Sequence, residues 1–249
     1  MRHLFVHHHI GLGDHFDCNG LVRYVKQEMV PSEFDKIHVF AIKSHFPIID
    51  YMYRDDEDII VQEVRNYEKE YEDAQNIVIS YQDKTERGQC GVLTVGHQHY
   101  MGSKGRDVAE GKNCWEYFYE QLNFPLETRV NKFYVQRDME EENRVFDKLN
   151  PTGEPYIFLH DSPERGYVID RNHFVNKNIK VIENDLEENP LHLLRVIEEA
   201  KEIHCIESSL KSIIEFYENA ELLFYHDLRN HTLGKYAKEK WKTIKYDNN

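Results

Sequence analysis

The chain has 249 residues, 40% of them hydrophobic, which is enough to bury the core of one large domain or two small ones. Its formal net charge of −14 disfavours nucleic acid or an anionic membrane surface as a partner. Its four cysteines are widely spaced, and it shows neither a run of about 20 apolar residues nor a signal-peptide pattern, so we expect a cytoplasmic protein with reduced thiols, no zinc site and at most peripheral membrane contact.

Strand-like and helix-like segments alternate through the first 134 residues. Apolar runs predict five strands, at residues 4–10, 37–42, 59–64, 77–81 and 92–95. Apolar residues at spacings of three and four predict helices over residues 18–29, 46–53 and 114–122. Residues 82–112 are rich in glycine and charge, and we expect them to form a loop, either plain surface or facing a substrate.

A second series of alternating segments begins near residue 135. It predicts helices over residues 137–149, 191–200, 210–217 and 232–246, and strands at residues 156–160, 180–183, 203–206 and 222–225. Such alternation is typical of parallel sheets with helices on both faces. The sequence therefore predicts an α/β fold of two Rossmann-like halves facing a cleft, residues 1–134 and 135–230, with a helix over residues 231–249 packing back on the first half or the junction.

A short motif, Gly11-Leu12-Gly13-Asp14, follows the first predicted strand. Glycines at positions 11 and 13 allow a sharp turn and a close approach of ligand to backbone amides. The motif is not a dinucleotide fingerprint, because Phe16 stands where the third glycine is needed, and no P-loop signature follows it. Asp14 has two interpretations: it caps the following helix, or it is a catalytic carboxylate.

Histidines cluster at two places in the first half, at positions 7 to 9 and at positions 97 and 99. No acidic residues stand nearby at the spacing of metal ligands, so no metal site is predicted. The histidines either lie at strand ends and in a loop or line the ligand cleft. The candidates for substrate contact in this half are Gly11, Gly13, His9 and His97.

Two segments of the second half have the pattern of an anion site. A strand ending at His160 is followed by a loop with Arg165, whose planar group of donors suits phosphate, although a plain charged turn has the same pattern. The strand ending before Glu207 is followed by Ser208 and Ser209 at a helix start. Unpaired amides there favour an anion, and serine is equally a favoured helix cap. Glu207 would then lie near a ribose.

Three segments together resemble the GT-B glycosyltransferases, in particular their heptosyltransferase and fucosyltransferase-like branches: "HIGLGDHFDCNGLVRYV", "YIFLHDSPERG" and "EIHCIESSLKSIIE". The resemblance covers the order of elements from about residue 3 to 230. It implies that Asp14 is the catalytic base and that Arg165, Ser208 and Ser209 hold the donor diphosphate, with His160 and Glu207 on the donor side. The resemblance also implies the metal-free chemistry that is typical of this fold.

The function implied by the resemblance is transfer of a sugar from a nucleotide-diphosphate sugar to a glycan or other hydroxyl acceptor. We expect a metal-independent, inverting reaction that needs no cofactor beyond the donor substrate. Two alternatives stay open: a two-lobed module that binds a nucleotide or sugar without chemistry, and a sugar-nucleotide epimerase. Asp14 discriminates between a transferase and a binding module, because a binding module needs no carboxylate there.

Overall fold

The computed structural model describes residues 1–30, 32–96, 113–229, 233–234 and 239–246. The chain divides into two compact units, Met1–Gln136 and Arg137–Asn249. The sequence analysis placed this division between residues 134 and 135. Each sheet belongs to one unit, and every pairing between its strands is parallel.

The first unit is a four-stranded sheet in the order β3-β2-β1-β4, with helices packed against it. Its strands are β1 (His3–His7), β2 (Lys36–Ile42), β3 (Ile59–Val64) and β4 (Cys90–Thr94). Among the described residues its helices are α1 (Leu12–Met29), α2 (Phe46–Tyr53), α3 (Glu70–Gln82), α4 (Cys114–Gln121) and α5 (Thr128–Asn131). Burial of these apolar strands supplies most of the favourable free energy of folding.

Helix α1 is fixed against α4 and α5 by close packing and a buried ion pair. A Cβ atom at Gly20 would lie 2.6 Å from the carbonyl oxygen of Thr128, so only glycine lets the two backbones approach this closely. Arg129 Nη2 donates to Asp17 Oδ1 at 2.6 Å, and its guanidinium lies 4.5 Å from the ring centre of Trp115. These contacts hold the helix that carries Asp14.

The predicted strand at residues 77–81 is wrong, because these residues belong to α3. Ile77, Val78 and Tyr81 pack on the cluster of Phe5, Phe40 and their neighbours. Their spacing of one and four residues fits a helix face, but a short apolar run does not by itself distinguish a strand from a buried helix segment. The error hid the start of α3, which proves to border the candidate site.

The second unit is a five-stranded sheet in the order β6-β5-β7-β8-β9. Its strands are β5 (Tyr156–His160), β6 (Lys180–Glu183), β7 (Glu202–Ile206), β8 (Leu222–Asp227) and β9 (Lys242–Lys245). The helices in the described part of this unit are α6 (Met139–Leu149), α7 (Leu194–Glu198) and α8 (Ser209–Tyr217), with short 3-10 turns at Pro163–Arg165, Arg171–His173 and Pro190–His192. The helix expected at 191–200 is thus a 3-10 turn followed by α7.

The predicted terminal helix is wrong for residues 242–245, which form the parallel edge strand β9. Phe224 pairs in register with Lys242, and His226 pairs with Ile244. Trp241, just before the strand, is buried. The gain from pairing with β8 outweighs the helical preference of this lysine-rich segment, and lysines at both ends of an edge strand oppose further pairing.

A chain of hydrogen bonds crosses the second sheet. The Tyr246 hydroxyl donates to His226 Nδ1 at 2.7 Å, His226 Nε2 donates to His204 Nδ1 at 2.8 Å, and His204 Nε2 donates to Glu202 Oε1 at 2.6 Å. Because a carboxylate only accepts, this order assigns the proton of each neutral ring to Nε2. Burial lowers the pKa of His204, and it lowers the pKa of His226 to about 3.

Candidate functional site

The carboxyl ends of β1 and β3 bring two distant segments of the first unit to one edge, the turn between β1 and α1 and the start of α3. His9 follows β1, Asp14 lies in the first turn of α1, and Glu70 opens α3 after β3. Ligands of open parallel sheets bind at this edge, where helix N-termini lie. Gly13 is the second residue of α1. His97, the fourth predicted contact of this half, lies outside the described residues.

Asp14 and His9 form a hydrogen-bonded pair. His9 Nδ1 donates to Asp14 Oδ2 at 2.7 Å, and the two side chains are 27% and 15% exposed. A Cβ atom at Gly11 would lie 2.5 Å from that same carboxylate oxygen, so the missing side chain makes room for the pair. The other oxygen, Oδ1, lies 3.9 Å from the thiol sulfur of Cys114 at the start of α4.

The interpretation of Asp14 as a helix cap is wrong. Gly11 occupies the N-cap position of α1 and makes no side-chain capping bond, whereas Asp14 is the third residue of the helix. A carboxylate in the first turn interacts favourably with the helix dipole, and that interaction leaves its oxygens available for other groups. The carboxylate of Asp14 is therefore held by a histidine beside the edge of the sheet.

The charge of His9 is coupled to two acids. Burial of the ring lowers its pKa, but the hydrogen bond that His9 donates to Asp14 and the negative charges of Asp14 and Glu70 outweigh burial, so the pKa of His9 lies above its ordinary value. His9 therefore keeps its proton to a higher pH than an ordinary histidine does, and in that form it donates a charge-assisted hydrogen bond to Asp14.

A second histidine–acid pair lies beside the first. His7 Nε2 donates to Glu70 Oε1 at 2.8 Å, and both side chains are buried. The ring of Tyr71 lies 5.5 Å from that of His7. Sequence reasoning missed Glu70 and Tyr71 because it placed α3 as a strand. The signal available was an acid-rich stretch after β3, which is typical of a helix start.

His45 and Tyr67 complete this edge. His45 lies after β2, its Nδ1 is 3.4 Å from the carbonyl oxygen of Ile10, and its ring makes an edge contact with Tyr67 at 6.2 Å. Burial lowers the pKa of His45. Burial and the charges of Asp14 and Glu70 raise the pKa of Tyr67. Through His45, which lies beside Ile10, Tyr67 borders the turn that carries the His9–Asp14 pair.

No metal centre is present among the described residues: no group of three or more histidine, cysteine, aspartate or glutamate side chains there could hold an ion. His8 packs edge-on against the fully buried His15, with ring centres 4.8 Å apart. Burial first, and then the neighbouring histidines, lower the pKa of His15 well below its usual value.

Within the described ranges no helix is both long and apolar enough to cross a membrane.

In the second unit, the loop after β5 is less enclosed than the sequence suggested. His160 is buried at the strand end, and burial lowers its pKa to about 4, so it is neutral at pH 7. Arg165 lies in the 3-10 turn Pro163–Arg165 with its side chain 63% exposed, 3.4 Å from Glu164. Its guanidinium is therefore accessible to an anion, which has to compete with the carboxylate of Glu164.

The start of α8 shows the cap that the sequence allowed, and its geometry is compatible with the predicted anion site. Ser208 is the N-cap, and its hydroxyl accepts from the backbone N–H of Lys211 at 3.2 Å. Ser209 is the first helical residue, so its amide belongs to the unpaired first turn that favours an anion. The predicted capping role of Ser208 is confirmed, and capping leaves the other first-turn amides to a ligand.

Two cations beside this helix start were missed from the sequence. Lys211 is 2% exposed, with its Nζ atom 2.9 Å from Glu215 Oε1 and 3.6 Å from Glu207 Oε2. Arg229, just after β8, donates to the carbonyl oxygen of Glu207 at 2.8 Å and lies 5.6 Å from the ring centre of Tyr167. Arg229 is separated from Glu207 by 22 residues, and only the pairing of β7 with β8 brings them together.

The fold matches those of solved glycosyltransferases. A crystal structure of the glycosyl transferase family 9 from Veillonella parvula DSM 2008 matches with a TM-score of 0.59 and 8% sequence identity, over 98% of this chain and 86% of that one. The E. coli ADP-heptose LPS heptosyltransferase II matches with a TM-score of 0.50 and 11% identity, over 98% of this chain and 90% of that one. No protein-family model matches the sequence, and no curated protein matches it.

These similarities establish the fold. With two parallel sheets, each in its own unit, and a match to these structures over 98% of its length, the chain has the GT-B type of fold with two Rossmann-like halves. The predicted fold class is confirmed. At 8% and 11% identity the comparison does not extend to substrates, which have to be argued from the side chains of this chain.

Proposed function

We propose that the protein is a glycosyltransferase that moves a sugar from a nucleotide-diphosphate donor to a hydroxyl group of a glycan or other acceptor, without a metal ion and with inversion at the anomeric carbon. The observation that carries the proposal is the His9–Asp14 pair, held 2.7 Å apart at the ligand edge of the first sheet in a fold of the GT-B type. A passive binding module has no need of a charge-coupled pair there.

In the proposed reaction, Asp14 takes the proton of the acceptor hydroxyl. The acceptor oxygen then forms a bond to the anomeric carbon of the donor, while the bond from that carbon to the diphosphate oxygen breaks and the nucleotide leaves with the electron pair. Attack opposite the leaving group inverts the anomeric centre. The His9 Nδ1–H bond holds the carboxylate in one orientation, and Gly11 leaves space for it.

The second unit is proposed to hold the donor. First-turn amides of α8, including that of Ser209, would bind the diphosphate, with Arg165 and Arg229 supplying positive charge to the leaving group. Glu207 would bind a ribose hydroxyl, and the neutral His160 would line the site. Because Lys211 is already engaged by two glutamates, we assign it to the support of this turn rather than to phosphate.

Adenine nucleotide sugars are the first donors to test, since one structural neighbour is an ADP-heptose LPS heptosyltransferase. The experiment is a thermal-shift screen of ADP-, GDP-, UDP- and dTDP-sugars, followed by an assay of slow donor hydrolysis with and without EDTA. A tight ligand raises the apparent unfolding temperature. We expect at least one donor to stabilise the protein and to be hydrolysed equally with EDTA.

Two outcomes would contradict the proposal. Stabilisation by a nucleotide sugar with no turnover, either to water or to any hydroxyl acceptor, would favour the binding module. Loss of turnover in EDTA that magnesium or manganese restores would contradict the metal-free reaction.

A further inference from the structure

Two histidine rings hold the backbone of the turn that joins β1 to α1, residues 8–11. The carbonyl oxygen of His9 accepts from His8 Nδ1 at 2.7 Å. The carbonyl oxygen of the next residue, Ile10, lies 3.4 Å from His45 Nδ1. Hydrogen bonds weaken with length, so the bond from His8 is the stronger of the two. The conformation of the turn is thus fixed at a residue that belongs to the candidate site.

His8 reaches this carbonyl group from inside the protein. Side chains alternate along β1 and the residues after it, so His7 points to α3, where it bonds to Glu70, and His8 points to the face that α1 covers. His8 is 1% exposed, and its ring lies edge-on to that of His15 with 4.8 Å between the ring centres. Because a carbonyl oxygen only accepts, Nδ1 of His8 carries a proton in this bond.

The bond from His8 restricts the direction of the His9 side chain. The carbonyl group and the ring of His9 leave the same Cα atom, so a fixed carbonyl limits the backbone rotations that would carry the ring away from Asp14. A displacement of about 1 Å near a reacting group can reduce a rate about 100-fold. An apolar residue at position 8 would deprive the carbonyl oxygen of this donor. The hydrogen bond of His8 therefore bears on the geometry of the His9–Asp14 pair.

Burial keeps positive charge away from the inner side of this turn. His15 is fully buried, and burial first and then the neighbouring histidines hold its pKa well below the ordinary value. Burial also lowers the pKa of His45. Burial acts on His9 too, but its hydrogen bond to Asp14 and the nearby negative charges outweigh burial and raise its pKa. Positive charge at the turn therefore favours His9, where it strengthens the bond to Asp14.

We propose that His8 is a positioning residue of this site: its Nδ1–H bond to the carbonyl oxygen of His9 fixes the turn and thereby holds the His9 ring against Asp14. The inference rests on the proposed transferase function for its effect on the rate of sugar transfer. The geometry of the His9–Asp14 pair can be measured without any reaction, so the two proposals can be tested separately.

The hydrogen bond of His8 is tested first in the unaltered chain, by NMR of the histidine ring nitrogens. Long-range correlation spectra of protons with ¹⁵N distinguish a protonated ring nitrogen from one that carries no proton. We expect a proton on Nδ1 of His8, since only a protonated Nδ1 can donate to the carbonyl oxygen. A proton on Nε2 alone would overturn the inference.

Two substitutions separate this bond from the packing of the ring. The amide nitrogen of asparagine lies as far from the backbone as Nδ1 does, whereas that of glutamine lies one bond further out, as Nε2 does. His8→Asn therefore keeps a donor for the carbonyl oxygen of His9, and His8→Gln displaces it, although both lose the ring. The matched control is His38→Gln, because His38 is buried in the same sheet, pairs in register with Phe5 and bonds to His3 instead of the turn.

The readouts are the pKa of His9, from NMR titration of its ring, and the rate of sugar transfer per folded molecule. In His8→Gln we expect the pKa of His9 to fall toward 6.5, because its ring moves away from Asp14. The kcat of this variant should fall about ten- to 100-fold, with KM for the donor unchanged. His8→Asn should keep the raised pKa and a rate within about threefold of the unaltered protein. His38→Gln should lose stability in urea unfolding and alter neither readout.

Two further results would overturn the inference: the same pKa of His9 in both variants of His8 and the unaltered chain, or equal turnover by His8→Asn and His8→Gln. If neither variant folds, the ring-nitrogen spectrum of the unaltered chain decides. The transferase proposal fails separately. A protein in which the pKa of His9 follows the substitutions but which transfers no sugar would contradict the transferase and leave the positioning role standing. Sugar transfer that neither substitution alters would contradict the positioning role alone.

Discussion

His9 Nδ1 lies 2.7 Å from Asp14 Oδ2, across the short turn that joins β1 to α1. The contact links a strand end to a helix start through five residues, and it depends on the absence of a side chain at Gly11. In return, the carboxylate has one fixed orientation at the edge where open parallel sheets bind ligands. The missing side chain of Gly11 thus leaves the space that the carboxylate of Asp14 occupies.

Gly11→Ala should reduce activity more than stability. The backbone of Gly11 is in the extended region that alanine also adopts, so the new methyl group meets only the movable carboxylate of Asp14. We expect that carboxylate to rotate away from His9, with a loss of turnover of at least about tenfold and a cost in unfolding free energy of about 1 kcal/mol or less. Turnover assays and denaturant unfolding measure the two effects.

The control for this prediction is Gly91→Ala in β4. A Cβ atom there would lie 2.6 Å from the ring of the half-buried Phe34 and 3.3 Å from the side chain of the buried Leu4. We expect this variant to lose stability while its folded fraction keeps its turnover. Equal effects of the two variants on turnover would show that Gly11 has no special relation to Asp14.

Arg165→Ala and Arg229→Ala should each weaken nucleotide binding. Removing a charged hydrogen bond costs about 1.5–3 kcal/mol, which corresponds to a loss of affinity of at least about tenfold. Calorimetric titration with the nucleotide diphosphate measures it. Arg171→Ala is the matched control, because Arg171 is exposed on the same unit and paired with Glu183.

The two arginine variants also locate the diphosphate. If Arg165→Ala binds normally and Arg229→Ala does not, the phosphates lie at the β7–α8 turn rather than at the loop after β5. Normal binding by both variants would show that the donor site does not lie at this edge.

Stability should fall on acidification because of the buried histidine chain in the second unit. Folding lowers the pKa of His226 from 6.5 to about 3, so the unfolded chain takes up a proton between these values and the folded chain does not. The stability contributed by the neutral His226 is therefore fully present above about pH 6.5 and decreases as the pH falls toward 3. At pH 5 the loss of unfolding free energy is about 2 kcal/mol. Urea unfolding at pH 7 and pH 5 measures it.

His226→Gln is the variant that tests this source. Glutamine has no titrating group, so the difference in stability between pH 7 and pH 5 should shrink by the contribution of His226, whatever the variant costs at pH 7. An unchanged difference would show that other groups, such as His204 or His38, account for the acid sensitivity.

Much of the fold followed from local pattern, and the errors have a common cause. The strand at Ile59–Val64 and the strand at Lys180–Glu183 were predicted to the residue, because each is a short apolar run bounded by polar turns. The predictions for residues 77–81 and 242–245 were wrong because packing against distant parts of the chain determines the secondary structure there. Residues 77–81 form a helix face that packs on Phe5 and Phe40, and residues 242–245 form an edge strand that pairs with β8.

The candidate site was predictable where its residues are close in sequence. Asp14, Gly11 and His9 lie within six positions of one another, and the motif pointed to them directly. Glu70 and Arg229 were missed because they reach their partners through strand pairing across 63 and 22 residues. No spacing in a single sequence reports such a contact, since sheet register determines it.

Asp14→Asn separates a general base at position 14 from a carboxylate that only binds. The amide keeps the shape of the side chain and can still accept a hydrogen bond from His9, but it cannot take a proton at neutral pH. General-base catalysis contributes about 10²- to 10⁴-fold, so sugar transfer should fall by that factor while calorimetry shows unchanged donor affinity. Asp35→Asn, which alters a surface aspartate paired with Arg2, should keep its rate. Near-normal turnover by Asp14→Asn would show that Asp14 is not the base, and His9 or His97 would then be the candidate for that role.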